Sequence, residues 1–240
     1  MAKEEEIQDV QEYLKIVKLY KKQNLDSGNE EDFLFRGQQT DQPLIPKIAR
    51  LRPHGDLVII EKIILNEFKR TNPLLIEAQK AIDDWDYLTL GQHFGLPTRF
   101  LDWTNNALTA LWFATNNYGN PNNEYGVVWV LMAEKLDFIL DASSSSPFDV
   151  SKTRVFRPRI IKQRINNQSG VFSIHTTEDI IHKNELNTVP FFKNKLLKIK
   201  IPSNHFQEIR EDLNTLGVND FTIFPELEGL CSYLQWRYFS

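Results

Sequence analysis

A chain of 240 residues that is 41% hydrophobic and 12% aromatic has the composition of one large globular domain or two small ones, which excludes wholesale disorder. A net charge of −4 excludes a broad basic surface, and the lone cysteine, Cys231, excludes an intrachain disulfide. No stretch approaches the ~18 uninterrupted apolar residues of a membrane span, and the acidic start MAKEEEIQDV lacks a signal peptide's apolar segment. A cytoplasmic protein with no membrane partner is therefore expected.

In chain order, Ile7, Val10, Leu14 and Val17 stand at helical spacing and predict an amphipathic helix over Glu4 to Gln23, on the outside of the domain. Residues 1–30 are thus expected to form a helical extension and 31–240 the main domain. DFLFRG reads as a strand stopping at a tight turn, and Pro43, Pro46 and Pro53 keep the next segment irregular. Asp56 is placed to cap a helix to Arg70 with Leu57, Ile60, Ile64 and Phe68 on one face. DDWDYLTLGQHFG predicts another helix, closed by Gly95, before an extended TRFLDW. Thr104 or Asn105 is the expected cap of a helix to about Thr115 that buries Ala107, Leu108, Leu111 and Trp112.

VVWVLM, RPRIIKQRI, GVFSIHT and KLLKIKI read as strands, with DASSSSPFDVS a polar loop. Ser203 is the expected cap of a helix to Leu216, and a last helix carries Cys231 within an apolar, core-like pattern. Helices gather in the first half and strands in the second. The expected class is α+β: a mixed, largely antiparallel sheet flanked by helices, with strands near residues 33, 99, 128, 160, 172 and 198.

Three polar clusters sit where apolar runs end. In FLFRGQQ, Arg36 at a strand end can present its fork to a phosphate or carboxylate, with Gly37 clearing the ligand's approach; tying loops through backbone carbonyls is the alternative. The second cluster packs Gln92, His93, Thr98, Arg99, Asp102, Trp103 and Thr104 between a helix end and a helix start. There the free N–H groups of the new helix can take an anion, or Asp102 can cap them. Arg36, His93, Arg99, Asp102 and Thr104 are expected to line one cavity, with Asp102 either aiming Arg99 at a pyrophosphate or serving the scaffold. In RINNQSGVF, Gln168 can orient a ribose or an amide, or simply sit at a hairpin tip. The runs Lys152 to Arg164 and Lys193 to Lys200 read as solvated strand faces, a nucleic-acid patch being the alternative. The five histidines lack close metal spacing, so no metal is expected. No Gly-x-Ser-x-Gly, Walker or Gly-x-Gly-x-x-Gly motif is present.

Taken together, FLFRGQ, LGQHFGLPTRFLDWTNNALTALWFA, RINNQSGVF and FTIFPELEGLCSYL resemble the FRG domain family, named for its Phe-Arg-Gly motif, from about Phe33 to Leu234. Phe100 stands where the family usually has leucine. That resemblance implies that 31–240 is an FRG domain. An arginine-glycine at a strand end, a Thr-led helix ending in ALWFA and a late strand bearing Gln or Glu further resemble the ADP-ribosyltransferase fold.

This second resemblance implies NAD as substrate. Arg36 would contact its phosphates or ribose, Thr104 with Trp112 or Phe113 would shape the nicotinamide pocket, and Gly37, Gln38, Gln92, His93, Thr98 and Arg99 would complete the NAD site. Asp102 joins Arg36 and Thr104 in the catalytic set, completed by Gln168 or by a carboxylate of PELEGL, Glu226 or Glu228. The function so implied is an NAD-dependent ADP-ribosyltransferase, a bacterial toxin or anti-phage effector with a protein, RNA or DNA acceptor and an inhibitory antitoxin partner. A non-catalytic nucleotide- or phosphate-binding module and a nucleic-acid-binding protein are the alternatives.

Overall fold

The computed structural model describes residues 3–26, 32–71, 83–116, 124–140, 142, 145–159 and 170–239. Among them, seven strands make one sheet: β1 (Lys3–Glu6), β2 (Asp32–Gln38), β3 (Phe100–Thr104), β4 (Tyr125–Ala133), β5 (Arg154–Phe156), β6 (Gly170–Ile174) and β7 (Leu196–Pro202). Their order is β1-β7-β4-β2-β3-β6-β5. Every pairing is antiparallel except that of β1 with β7. The class is α+β with a largely antiparallel open sheet, as expected, although the strands are spread along the chain rather than gathered in its second half. No helix among the described residues is long and apolar enough to cross a membrane.

The N-terminus departs from the helix expected over Glu4 to Gln23. Lys3–Glu6 is a strand, and the helix runs over Val10–Asp26. The reason is the neighbour: β7 offers an edge with Lys198 and Lys200, Lys200 ion-pairs with Glu4, and Ile7 N–H donates to the Lys200 carbonyl at 3.0 Å. Charge complementarity along a free edge outweighs the helical period of that short run. The buried face of the helix, Val10, Tyr13, Val17 and Tyr20, joins the main apolar cluster.

Alternation divides the core. On one face, Phe33 and Phe35 of β2 and Val128 and Val130 of β4 meet the helices Ala107–Thr115 and Phe206–Thr215. On the other, Leu34, Trp129, Leu131, Leu101 and Trp103 pack with Leu44, Leu186 and Phe192. A third cluster gathers Trp85, Phe100, Phe156 and Phe172. The helix Ala107–Thr115 lies directly on the sheet because two glycines admit it. A Cβ at Gly37 would stand 1.9 Å from the Ala110 carbonyl oxygen, and one at Gly126 would stand 2.2 Å from that of Ala114. Gly37 is therefore required by helix packing.

Several local signals are realised. Asp56 Oδ1 accepts from Val58 and Ile59 N–H at 3.0 Å, heading the helix Leu57–Thr71. Asp83 and Asp86 form a capping box for the helix Asp84–His93, which ends before Gly95 at φ +87°. Ser203 instead begins a short 3-10 turn, with the α-helix starting at Phe206. The last helix, Leu227–Phe239, is largely exposed, and Cys231 with it, because Gly229 is its one buried residue. The strand expected near residue 160 and the turn at NNQSG lie outside the described residues, and the preceding strand is Arg154–Phe156.

Candidate functional site

The sheet is nearly cut in two. β2 and β3 are joined through a single pair, Phe35 opposite Thr104, and a continued ladder would have set Gly37 opposite Asp102. Beyond that pair the strands part, and a cavity of about 300 Å³ occupies the split. Phe35, Arg36 and Gly37 line it from β2, Asp102, Trp103 and Thr104 from β3, and Gly170 and Phe172 from β6. His93 and Phe113 close it from two helices.

Arg36 bridges the split. Its Nη1 donates to the Asp102 carbonyl at 2.9 Å and lies 3.5 Å from the Asp102 carboxylate. The Nε is buried without a hydrogen-bond partner. Burial pulls the Arg36 pKa below its usual value, the Arg50 charge adds to this, and Asp102 opposes it. A partly buried cation with an unused donor is a strong anchor for an anionic group.

Asp102 is aimed by a relay of neutral groups. Gln92 Nε2 donates to Asp102 Oδ2 at 3.0 Å, Thr98 Oγ1 donates to Gln92 Oε1 at 2.6 Å, and Phe100 N–H donates to Thr98 Oγ1 at 3.1 Å. The Asp102 side chain is nevertheless 55% exposed, toward the cleft. Gln92 and Thr98, expected at the ligand, instead act through Asp102 and do not line the cavity.

The first turn of the helix after β3 is capped by its own N-terminal residue. β3 runs through Thr104, so the cap falls later than Thr104 or Asn105: Asn106 Oδ1 accepts from Leu108 and Thr109 N–H at 2.9 and 3.2 Å. Asp102 caps nothing there. Thr104 faces the cavity, and its Oγ1 accepts from Asn106 N–H at 3.1 Å.

Arg99 is the largest correction. It is 1% exposed and forms a two-pronged pair with Glu61 at 2.9 and 2.5 Å, donates to the Pro147 carbonyl at 3.3 Å and lies 5.0 Å over the Phe148 ring. It neither lines the cavity nor meets Asp102. The available signal was Glu61 itself, four residues from both Leu57 and Leu65 on the buried stripe of its helix.

Trp112 is a core residue, 1% exposed and edge-on to Phe224, whereas Phe113, one position on, turns to the cavity. Gln38 is buried, accepting from Trp129 Nε1 at 3.2 Å, away from the cavity. Gln168 lies outside the described residues, as does Arg164. Glu226 and Glu228 are exposed near the start of the last helix and do not line the cavity. The cavity thus brings together Arg36, Gly37, His93, Asp102, Thr104 and Phe113 of the expected set. Phe35, Gly170 and Phe172 were missed, because only the β3–β6 register, Asp102 opposite Phe172, brings the later pair to the site.

The model of the FRG domain family matches residues 31–123, about two-fifths of the chain. This stretch is an FRG domain. It supplies every cavity residue except Gly170 and Phe172, so the later part of the chain completes the wall of a cleft the FRG domain builds. The Phe-Arg-Gly of the FRG domain is Phe35, Arg36 and Gly37, three consecutive cavity residues: an aromatic wall, a cation and a helix seat. No curated protein and no solved structure matches the chain.

Proposed function

We propose that the cleft binds the nicotinamide–ribose end of NAD and that the protein is an ADP-ribosyl-transferring enzyme. The observation that carries this reading is the Arg36 guanidinium, its Nε buried and unpartnered, beside the exposed face of Asp102 in a split walled by Phe35, Trp103, Phe113 and Phe172. Aromatic walls suit a planar ring, the guanidinium suits a phosphate, and about 300 Å³ is at the small end of ligand cavities, fitting one end of a dinucleotide.

In the reaction the C1′–N bond breaks and nicotinamide leaves with the electron pair, so the ribose acquires oxocarbenium character. An acceptor nucleophile forms the new bond to C1′ and releases its proton to solvent. Asp102 is the carboxylate positioned to stabilise that cation, through space rather than by proton transfer. The acceptor is a protein or nucleic acid, and a toxin or anti-phage effector held by an inhibitory partner is the biological role consistent with it. The decisive experiment incubates the purified chain with NAD and follows nicotinamide release by chromatography. Release lost in Arg36→Ala supports the reading, and neither binding nor release by the native chain rejects it.

A non-catalytic nucleotide- or phosphate-binding module is the second reading. It is favoured by Asp102 being the one carboxylate among the described cavity residues and being already engaged by Gln92. NAD affinity without turnover separates it from the first. A nucleic-acid binder using the late lysines is less well supported, since Lys195, Lys198 and Lys200 each face a carboxylate, Asp137, Asp41 and Glu4 respectively.

A further inference from the structure

Between the helix Asp84–His93 and β3 the chain doubles back and brings Thr98 against Gln92. Leu96 N–H closes the turn by donating to the Gly91 carbonyl at 2.8 Å, and Gly95 at φ +87° makes the reversal. The short helix Lys47–Arg50 pins the same segment from outside. Ile48 N–H donates to the Thr98 carbonyl at 3.4 Å, and Lys47 Nζ to that of Gly95 at 2.7 Å. Thr98 is fully buried and lies behind the cavity wall, not in it.

The relay from Thr98 to Asp102 has one consistent direction. Phe100 N–H donates to Thr98 Oγ1 at 3.1 Å, so the Thr98 hydroxyl keeps its own hydrogen for Gln92. Their 2.6 Å separation suits an O–H···O bond and is shorter than an ordinary N–H···O bond. The oxygen of the Gln92 amide therefore sits on the Thr98 side, and its Nε2 is left for Asp102 Oδ2, 3.0 Å away. A reversed amide would set an oxygen against the carboxylate, two acceptors in contact with no hydrogen between them. Oδ2 also faces Arg36 Nη1 at 3.5 Å, whereas no hydrogen bond among the described residues ends on Asp102 Oδ1.

We propose that Thr98 and Gln92 are positioning residues for Asp102, the buried Thr98 hydroxyl locking the polarity of the Gln92 amide. The lock holds Oδ2 in place and leaves Oδ1 to the ligand. Its effect on turnover rests on the transferase reading of the cleft. Without the Thr98 hydroxyl, the amide loses the partner that orders it and is free to turn its oxygen toward Asp102. The loss then falls on the transition state, where Asp102 faces the oxocarbenium charge, rather than on NAD binding in the ground state.

The test compares Thr98→Val, which keeps the branched shape and removes the hydroxyl, with Thr98→Ser, which keeps the hydroxyl. In nicotinamide release, Thr98→Val should lower kcat about fivefold or more with KM near native, and Thr98→Ser should recover most of it. In an Asp102→Asn background Thr98→Val should cost nothing further, because the group it acts through is already gone. A folded Thr98→Val with native kcat, or one whose loss simply adds to that of Asp102→Asn, overturns the proposal. Should Thr98→Val melt early, Gln92→Leu breaks the relay at a half-buried position and carries the same expectations. A measurement without ligand separates the lock from the transferase reading. The Gln92 side-chain amide resonances, followed by heteronuclear NMR of the unliganded chain, should shift in both Asp102→Asn and Thr98→Val. An amide indifferent to either change overturns the lock whatever NAD does. A responsive amide without NAD turnover keeps the lock and removes the transferase reading. NAD turnover beside an indifferent amide keeps the transferase reading and removes the lock.

Discussion

Arg36 Nη1 donates to the main-chain carbonyl of Asp102 at 2.9 Å, across the line where β2 and β3 cease to pair. A side chain thus takes the place of the next ladder contact, and the same guanidinium that splints the split sheet is the cation of the cleft. Arg36→Lys keeps the charge but cannot both reach the carbonyl and offer a fork. It should lower stability by about 1–2 kcal/mol, in the range of a hydrogen bond from a charged group, and weaken pyrophosphate binding at least tenfold. Urea melts beside calorimetry check both.

Asp102 and Asn106 should separate site from scaffold. Asp102→Asn removes a half-exposed charge that caps no helix, so stability should change by less than about 1 kcal/mol. Nicotinamide release should fall about tenfold or more. Asn106→Ala should do the reverse, losing about 1 kcal/mol of stability while keeping turnover near native. A destabilised Asp102→Asn with unchanged turnover would return Asp102 to the scaffold.

The Arg99–Glu61 pair should behave as buried charge. Removing one partner, as in Glu61→Gln or Arg99→Met, should cost about 3–5 kcal/mol in chemical denaturation, because the remaining ion is left desolvated. The double variant Arg99→Met/Glu61→Met should recover much of that loss. Simple additivity of the two single losses would show that the residues do not act as a pair.

Gly37→Ala tests the helix seat. With the Ala110 carbonyl 1.9 Å from the new methyl, either the helix Ala107–Thr115 or β2 must shift. The expected loss is about 3 kcal/mol or more, together with a weaker site, since Arg36 and Phe113 sit on the two elements that move. Native stability would show that the contact relaxes freely.

His175 predicts the acid side of the stability profile. It is fully buried, its Nε2 3.3 Å from Ser173 Oγ, and burial lowers its pKa to about 4, with Arg36 and Arg99 adding and Asp179 opposing. The unfolded chain takes up the proton near pH 6.5, before the folded one does. The His175 contribution is therefore complete above about pH 6.5 and lost as pH falls toward 4, amounting to roughly 3 kcal/mol. Urea midpoints from pH 7 to 4 should fall in the native chain and fall less in His175→Asn.

Much was legible in the sequence because it depends on residues within a few positions of one another. Asp56 and the capping box of Asp83 and Asp86 start their helices, and Gly95 ends one, by local geometry; the alternation in VVWVLM and KLLKIKI announces strands; and the Phe-Arg-Gly run with the segment from His93 to Thr104 marks the cleft. The tertiary structure alone decided the partners. Glu61 takes Arg99 because a buried guanidinium must meet its opposite charge wherever the fold provides one, here 38 positions away. Phe172 reaches the cleft through strand register, Lys3–Glu6 becomes a strand through the free edge of β7, and Asn106 rather than Thr104 caps the helix because pairing with β6 carries β3 through Thr104. Desolvation and register act between distant segments, and neither leaves a mark within the short window that sequence periodicity reports.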